Sequence, residues 1–354
     1  MAYTTIDDPS DYFNTLIWTG NGASSRAISG LGFQPDWSWF KERSGAEDHM
    51  LFDSVRGATK RLNSNTTAAE TDSGADRRLL SFDSDGFTVG LDLGINGNTE
   101  TYVGWNWKAG TSFSNDASAT SIGSIDSAGS VSTDAGFSII TYTGNGTSGA
   151  SVKHGLSTKP AMMIIKNRDE ADSWQVYHHK NTSAPATETL QLNETGATSD
   201  TSNRWNDTEP TTAILTLGNN TTVNKNTIKY IGYIFSEKQG YSKFGSYTGN
   251  GNADGTFVYT GFKPAMVICK KSSASGTNWG IIDNKRANSF NQISAMLNPN
   301  SSGTEGANNN CDFVSNGFKW RTSDGNSNAS ATYIYMAFAE NPFVTSTGVP
   351  ATAR

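Results

Sequence analysis

Residues able to carry out metal chemistry are few and scattered in this chain. His178 and His179 form its one histidine pair, but neighbours on a strand point to opposite faces, so the two imidazoles do not readily share a metal. Residues 83–86 read Asp-Ser-Asp-Gly, a fragment of a calcium loop. The distal glutamate of such a loop is missing, and a hairpin turn explains the motif better. We therefore predict no metal site and no cofactor.

Carboxylates suited to glycoside hydrolysis occur as Glu47, Asp48, Asp169, Glu170 and Glu237. That reaction requires two carboxyl groups facing one sugar bond, one of them with a raised pKa. These residues fall in predicted turns or at segment ends, and nothing marks a pair. Gly-x-Ser-x-Gly, phosphate-loop and His-Glu-x-x-His motifs are absent as well. We expect a non-enzymatic protein, and a polysaccharide-degrading enzyme is the last of the alternatives.

Tryptophans supply the candidate binding residues. Trp174, Trp205 and Trp279 fall in or beside predicted loops, where an indole ring can stack on a sugar or on a partner protein. The alternative is that each ring packs in the core, which is the commoner role of an aromatic residue in a β protein. We keep these three residues as candidate contacts for a glycan or a partner.

The elements that must position these residues recur three times. A Thr-Gly-Asn-Gly motif occurs at residues 19–22, 143–146 and 248–251. A proline follows each motif after thirteen or fourteen residues, and a lysine lies six residues past each proline: Pro35 and Lys41, Pro160 and Lys166, Pro264 and Lys270. This register predicts three related modules of about a hundred residues. The Asn-Gly step predicts a hairpin turn, and a lysine that closes an apolar strand is expected to be solvated at the strand end.

Apolar alternation predicts that the modules are built from strands. In the last strand of the first module, Val103, Trp105 and Trp107 share one face, which we expect to be core. No segment shows a helical period over three turns. The predicted fold is all-β, with three tandem antiparallel β-sandwich modules of jelly-roll or lectin-like type.

Composition sets the predicted boundaries. Module 1 covers residues 1–110, module 2 covers 136–241 and module 3 covers 242–343. Residues 111–135 are rich in Ser, Ala, Asp and Gly and predict a flexible linker, so module 1 would dock while modules 2 and 3 project, or the reverse. Residues 344–354 predict a loose C-terminal tail.

Bulk properties exclude several partners. The formal net charge is −6 and the basic residues are scattered, which gives no attraction to nucleic acid or to an anionic membrane. No apolar run is long enough for a membrane span, and the N-terminus lacks the features of a signal peptide. Two cysteines cannot form a disulfide framework. Cys269 aligns with Phe40 and Ile165 and predicts a core position, whereas the role of Cys311 stays open.

A family resemblance follows from several long motifs. Module 1 carries "AYTTIDDPSDYFNTLIWTGNG", "FDSDGFTVG" and "YVGWNWKAG", module 2 carries "DAGFSIITYTGNGTSGASVKHGLSTKPAMMIIKNRD", and module 3 carries "DFVSNGFKWRT" and "TYIYMAFAENPF". With these motifs the chain resembles tail-fibre-like structural proteins of tailed bacteriophages, especially marine ones, over nearly its whole length. The resemblance implies a virion component but carries over no site residue.

The resemblance and the composition together define the expected function. We expect a virion structural protein, made in the host cytoplasm, that serves as a tail appendage (fibre, tip or knob) with host-surface adhesion. The alternatives are a head decoration protein and a carbohydrate-binding receptor-recognition protein. The expected partners are other virion proteins, further copies of the chain in a homo-oligomer, and a host surface glycan.

Overall fold

The prediction of an all-β protein is confirmed by the computed structural model, which describes residues 2–72, 74, 77–286, 291–307 and 310–351. Module 1 contains β1 Phe13–Thr19, β2 Arg26–Ser29, β3 Trp37–Glu42, β4 Met50–Asp53, β5 Lys60–Arg61, β6 Thr71–Asp72, β7 Leu79–Asp83, β8 Gly86–Val89 and β9 Thr101–Trp107. The following segment contains β10 Thr111–Asn115 and β11 Ser127–Ser132.

Modules 2 and 3 supply the remaining strands. Module 2 contains β12 Phe137–Thr143, β13 Ala150–Lys153, β14 Met162–Asn167, β15 Gln175–His178, β16 Glu188–Gln191, β17 Ser199–Asp200, β18 Ile214–Leu217 and β19 Lys229–Phe235. Module 3 contains β20 Ser242–Thr248, β21 Phe257–Tyr259, β22 Phe262–Lys271, β23 Gly280–Asp283, β24 Cys311–Val314, β25 Gly317–Trp320 and β26 Thr332–Pro342.

Helical structure is confined to short turns in the described part of the chain. The α-helical turns are α1 Leu93–Asn96, α2 Ala117–Thr120, α3 Ser202–Trp205 and α4 Thr221–Asn224, and the 3-10 turns are Pro9–Asp11 and Pro185–Thr187. None of these helices is long and apolar enough to cross a membrane.

The same antiparallel strand order occurs in each module. In each large sheet the last strand of the module lies between the first strand and the strand at the repeated proline, and the next strand follows at the side. The order is β1-β9-β3-β4 in module 1, β12-β19-β14-β15 in module 2 and β20-β26-β22-β23 in module 3. A smaller sheet faces each of these large sheets: β2-β8-β7, β13-β18 and β21-β25-β24. Each pair of sheets encloses its own apolar cluster, in module 1 around Trp18, Phe40 and Phe87. The architecture is therefore three β-sandwiches.

The other face of each large sheet lines one core shared by all three modules. Trp37 stacks on Trp107 within module 1 and on Tyr233 of module 2, with ring centroids 4.3 Å apart in both pairs. Phe338 of module 3 contacts both of the other modules. Its ring centroid lies 6.0 Å from that of Phe235 in module 2 and 5.1 Å from that of Phe13 in module 1. The modules are thus parts of one packed body, not tandem units that pack separately.

The face of β9 that the sequence assigns to the core lies in this shared core. Val103, Trp105 and Trp107 are fully buried there. Opposite them on the same strand, Tyr102 packs inside the module 1 sandwich. Strands that are apolar on both faces are expected where sheets are covered on both sides, so the pattern of β9 results from its position between two cores.

The prediction of a flexible linker at residues 111–135 is corrected by the structure. β10 and β11 extend the large sheet of module 2, where Ser127–Ser132 pairs with β12 along its full length. Gly129 is required in this ladder because a Cβ at that position would lie 1.9 Å from the Ile139 carbonyl oxygen. Together with the shared core, this pairing shows that residues 111–135 do not leave module 1 free to move relative to modules 2 and 3.

The C-terminal tail folds back on the N-terminal segment as far as the structure describes it. The Ser346 N–H donates to a carboxylate oxygen of Asp7 at 2.6 Å, and the Ala351 N–H donates to the Phe343 carbonyl at 2.9 Å. The predicted looseness of residues 344–351 is therefore not what the structure has, because hydrogen bonds hold this segment. Residues 352–354 lie outside the described residues.

Candidate functional site

The three tryptophans proposed as binding residues are all buried. Trp174, Trp205 and Trp279 have at most 1% of their surface exposed. Their indole N–H groups donate to main-chain carbonyls of Asn63, Glu188 and Gln191 respectively, at 2.9 to 3.0 Å. A ring enclosed in this way cannot stack on a sugar. The prediction of contact residues is therefore corrected, and the alternative of core packing applies to all three.

The three repeated lysines are buried as well, and the expectation of solvated strand ends is wrong. Lys41 donates to the Gly45 carbonyl at 3.0 Å, Lys166 to the Asn167 carbonyl at 2.7 Å, and Lys270 to the Thr277 carbonyl at 3.0 Å. Burial lowers the pKa of each of these lysines to about 8. Lys166 also donates to the Glu170 carbonyl in the following loop, at 3.5 Å. Each ammonium group therefore connects the loop after its strand to the sheet, which is a structural role repeated three times.

The Thr-Gly-Asn-Gly motifs do not form hairpins, because the first strand of each module pairs with the last strand and not with the next one. The second glycine of each motif has a positive φ, of +64°, +70° and +67°, which favours glycine. A fully buried asparagine accepts the N–H of the motif's own asparagine, at 2.9 to 3.2 Å: Asn96 from Asn21, Asn224 from Asn145, and Asn328 from Asn250. Each motif is thus a loop held in place by a hydrogen bond to a buried asparagine.

A charged network joins modules 1 and 2. Glu70 accepts two hydrogen bonds from Arg168 at 2.8 and 2.9 Å and one from Arg56 at 3.2 Å. Burial acts to raise the pKa of Glu70, but the hydrogen bonds from Arg168 and the charge of Arg56 hold it below its usual value. Arg56 also pairs with Asp53, which accepts the Tyr233 hydroxyl of module 2 at 2.8 Å.

The same network recurs between modules 3 and 1. Glu305 accepts two hydrogen bonds from Arg43 at 2.9 and 2.8 Å and one from Arg286 at 2.9 Å. Arg286 pairs with Asp283, which accepts the Trp105 indole N–H of module 1 at 2.9 Å. These arginines and acidic residues therefore hold modules together.

The interface between modules 2 and 3 keeps the backbone geometry but changes the side chains. The Thr198 N–H donates to the Ser272 carbonyl at 2.9 Å, where the other interfaces have equivalent bonds from Glu70 and Glu305. His178 takes the place of Asp53 and Asp283, and its Nε2 lies 3.1 Å from the Tyr335 carbonyl oxygen. The second histidine, His179, contacts the Phe244 carbonyl at 2.7 Å, so both imidazoles bind main chain across this interface.

The other residues considered for chemistry also have local partners. Asp83 accepts hydroxyl hydrogen bonds from Ser81 and Thr88, and Asp85 accepts the N–H groups of Gly30 and Gly32. Four of the remaining carboxylates contact separate partners: Asp48 with Asn65, Asp169 with the Lys229 N–H, Glu170 with Lys225, and Glu237 with Lys243. The fifth, Glu47, lines a surface cleft of module 1. Among the described residues, no group of three or more His, Cys, Asp or Glu side chains could hold a metal.

An exposed aromatic face lies on the small sheet of module 3. Phe257 and Tyr259 are 45% and 54% exposed, whereas Val258 between them is buried. Alternation along β21 therefore places both rings on the outer side of the sheet. Tyr3 lies at the rim, where its hydroxyl donates to the Gly261 carbonyl at 2.7 Å and neighbours the Tyr259 hydroxyl. We call Phe257, Tyr259 and Tyr3 the aromatic face.

Two ionic groups border the aromatic face. Lys319, opposite Phe257 on β25, pairs with Asp254 at 2.7 Å. Arg321 pairs with Asp312 at 2.6 Å and approaches Asp254 at 3.4 Å. The surroundings of the rings are thus polar, and both cations have carboxylate partners.

The aromatic face is specific to module 3. The positions that correspond to Phe257 and Tyr259 are occupied in module 1 by Ala27 and Ser29, and in module 2 by Ser151 and Lys153. The buried residue between them is apolar in all three modules: Ile28, Val152 and Val258. The inward position is therefore kept while the outward pair differs. Sequence reasoning missed this face because β21 has three residues, although the alternation Phe-Val-Tyr was available as a signal.

A second surface feature is a cleft of about 690 Å³ in module 1. Its lining includes Arg61, Arg77 and Arg78 together with the exposed Leu91 and Leu93. Burial lowers the pKa of Arg61, and the neighbouring charge of Arg78 lowers it further. The carboxylates of Glu47 and Asp92 also line the cleft and offset much of its positive charge. Asp92 forms an ion pair with Arg78 at 3.1 Å.

These features define an all-β protein in which three β-sandwiches surround one core and one of them carries an aromatic face. The chain belongs to the DUF7483 family, described as a domain of unknown function, whose family model matches residues 8–342. The match spans all three modules. No curated protein and no solved structure matches the chain.

Proposed function

We propose that this protein is a non-enzymatic structural component of a tailed-bacteriophage virion, and that it serves as a tail appendage which contacts the host surface. The observation that carries the proposal is the closed arrangement of three modules around one core. Each module contacts both of the others through equivalent hydrogen bonds. Each interface joins two different surfaces of neighbouring modules, and interfaces of this kind that close into a ring produce a finite particle. A finite particle suits a part displayed on a virion.

The sequence resemblance to tail-fibre-like proteins supports the same role over nearly the whole chain. The cysteines fit a protein that folds in a reducing cytoplasm and then acts outside the cell, because Cys269 and Cys311 are both free and buried. Stability in that role comes from the shared aromatic core. The proposed partners are other virion proteins and further copies of this chain.

Immunogold electron microscopy of purified particles tests the proposal. Antibody raised against the recombinant protein is expected to label the tail or its appendages, and particles from a phage with the gene deleted serve as the control. Label spread over the head would replace the appendage with a head decoration protein. Unlabelled particles, with the epitope shown to be accessible, would contradict the virion role itself.

A further inference from the structure

We propose that the aromatic face of module 3 is a binding site for a linear neutral glycan. The inference deepens the proposed function, on which it rests for its biological setting, by assigning the contact with the host surface to particular residues. Phe257 and Tyr259 present their rings on the same side of β21, at the spacing of alternate strand residues, about 7 Å. One short oligosaccharide can therefore contact both rings.

The difference between modules is the first argument for a ligand. Residues that stabilise the fold are repeated, as the buried lysines and the buried asparagines show. Phe257 and Tyr259 replace an exposed Ala-Ser pair in module 1 and a Ser-Lys pair in module 2. Because modules 1 and 2 fold without these rings, packing does not require them. The two exposed rings are therefore available to contact a ligand.

The size of the face favours a small ligand over a protein. An aromatic side chain offers roughly 150–250 Å² of surface, and about half of each ring is exposed here. The two rings together thus present on the order of 200 Å², far below the roughly 800 Å² that each partner buries in a stable protein complex. The ring faces match the apolar C–H faces of sugars, which protein sites commonly cover with aromatic side chains.

The charges around the face favour a neutral ligand. Lys319 and Arg321 are both paired with carboxylates, Asp254 and Asp312. A polyanion would have to displace these carboxylates, whereas a neutral sugar can hydrogen-bond to the paired groups as they stand. The Lys319 ammonium can donate to a sugar hydroxyl, and the Asp254 carboxylate, whose side chain is 77% exposed, can accept from one.

The test is direct binding of purified full-length protein to a fixed set of hexasaccharides. The neutral probes are cellohexaose, laminarihexaose, maltohexaose, isomaltohexaose and β-1,4-mannohexaose, and the anionic probe is a hyaluronan hexasaccharide. Saturation-transfer NMR detects binding and calorimetric titration measures the Kd. We expect at least one neutral probe to bind. The double variant Phe257→Ala, Tyr259→Ser is expected to weaken that binding about tenfold or more.

Matched variants separate binding from folding. The double variant installs the residues that module 1 carries at the same positions and removes one partly exposed contact, between the Tyr259 and Tyr3 hydroxyls. Its unfolding midpoint should therefore stay close to that of the native protein. Ile17→Ala changes an exposed apolar residue elsewhere and should leave the Kd unchanged. Transfer of the face to module 1, by Ala27→Phe with Ser29→Tyr, is expected to add a second site and raise the measured stoichiometry.

Three results would overturn the inference: no neutral probe binds, hyaluronan alone binds, or the double variant binds as well as the native protein. The readout is independent of the virion role. Glycan binding by a protein that does not label particles would refute the proposed function and leave the site standing. Particle labelling without glycan binding would refute the site alone.

Discussion

At the scale of single residues, His178 connects burial with stability. It is fully enclosed at the interface between modules 2 and 3, where Nε2 contacts the Tyr335 carbonyl at 3.1 Å and Nδ1 accepts the Lys180 N–H at 3.1 Å. These partners define a neutral ring with its proton on Nε2. Burial, and after it the positive charge of His179, lowers the pKa of His178 from 6.5 to about 3.

This pKa predicts acid destabilisation with a defined sign. The unfolded chain takes up a proton near pH 6.5, while folded His178 stays neutral until about pH 3. Its contribution is therefore complete above pH 6.5 and is lost as the pH falls through this window. At pH 4.5 the loss is about 2–3 kcal/mol. Urea unfolding measures the free energy of unfolding at pH 7 and at pH 4.5. The decrease between these two pH values should be smaller by that amount in His178→Gln than in the native protein, and the Gln amide can still donate to Tyr335.

Equal losses in the native protein and in His178→Gln would contradict this assignment. His179→Gln is the matched control, because His179 is less enclosed than its neighbour. We expect its unfolding free energy to follow the native pH dependence more closely than that of His178→Gln.

Residue type alone predicted burial poorly at several positions. Trp174 and Trp279 were expected near loops, but their rings reach across module boundaries into the shared core. Their position depends on the neighbouring module, which a single-module reading of the sequence does not contain. Lys41 was expected at a solvated strand end, yet backbone carbonyls satisfy its ammonium group. In contrast, Cys269 was correctly placed in a core from its alignment with Phe40 and Ile165.

At the scale of elements, the pairing of strands explains what sequence pattern could and could not show. The last strand of each module has regular apolar alternation and was located correctly, as β9, β19 and β26. β11 consists mainly of small and polar residues, although most of them are buried between β10 and β12 in the large sheet of module 2. Its composition is that of a linker, and only the partner strand β12 distinguishes the two.

The charged networks between elements predict the cost of removing one carboxylate. Glu70→Gln keeps the side-chain volume but leaves Arg168 and the buried Arg56 without their shared counter-ion. Because Arg56 keeps its pair with Asp53 and Arg168 is partly exposed, we expect this change to cost about 2 kcal/mol. Glu170→Gln is the control, because its pair with Lys225 is more than 40% exposed on both sides and is worth less than about 1 kcal/mol. Urea unfolding of both variants at pH 7 measures the difference, and equal costs would contradict the structural role of Glu70.

At the scale of the whole molecule, the shared core predicts that the three modules unfold together. Scanning calorimetry of the full chain should give one transition with equal van't Hoff and calorimetric enthalpies. Trp107→Ala removes a fully buried ring that contacts modules 1 and 3. It should shift the entire transition, at a cost of about 3–5 kcal/mol.

Val349→Ala, at an exposed site in the C-terminal segment, should change the stability by less than about 0.5 kcal/mol. A second transition that Trp107→Ala leaves in place would show that at least one module is thermally independent. Deletion of residues 1–110 is predicted to destabilise modules 2 and 3, because it would expose the rings of Phe235 and Phe338, which contact Trp37 and Phe13 of module 1.

The joining of three modules in one polypeptide also affects how the molecule can change by mutation. In a trimer of identical chains, one codon change alters three symmetry-related positions at once, so a new surface residue must be tolerated three times over. Here each copy of a position has its own codon. Mutation can therefore place Phe257 and Tyr259 on one sandwich without changing Ala27, Ser29, Ser151 or Lys153. Each molecule then exposes this pair of rings to water once and not three times.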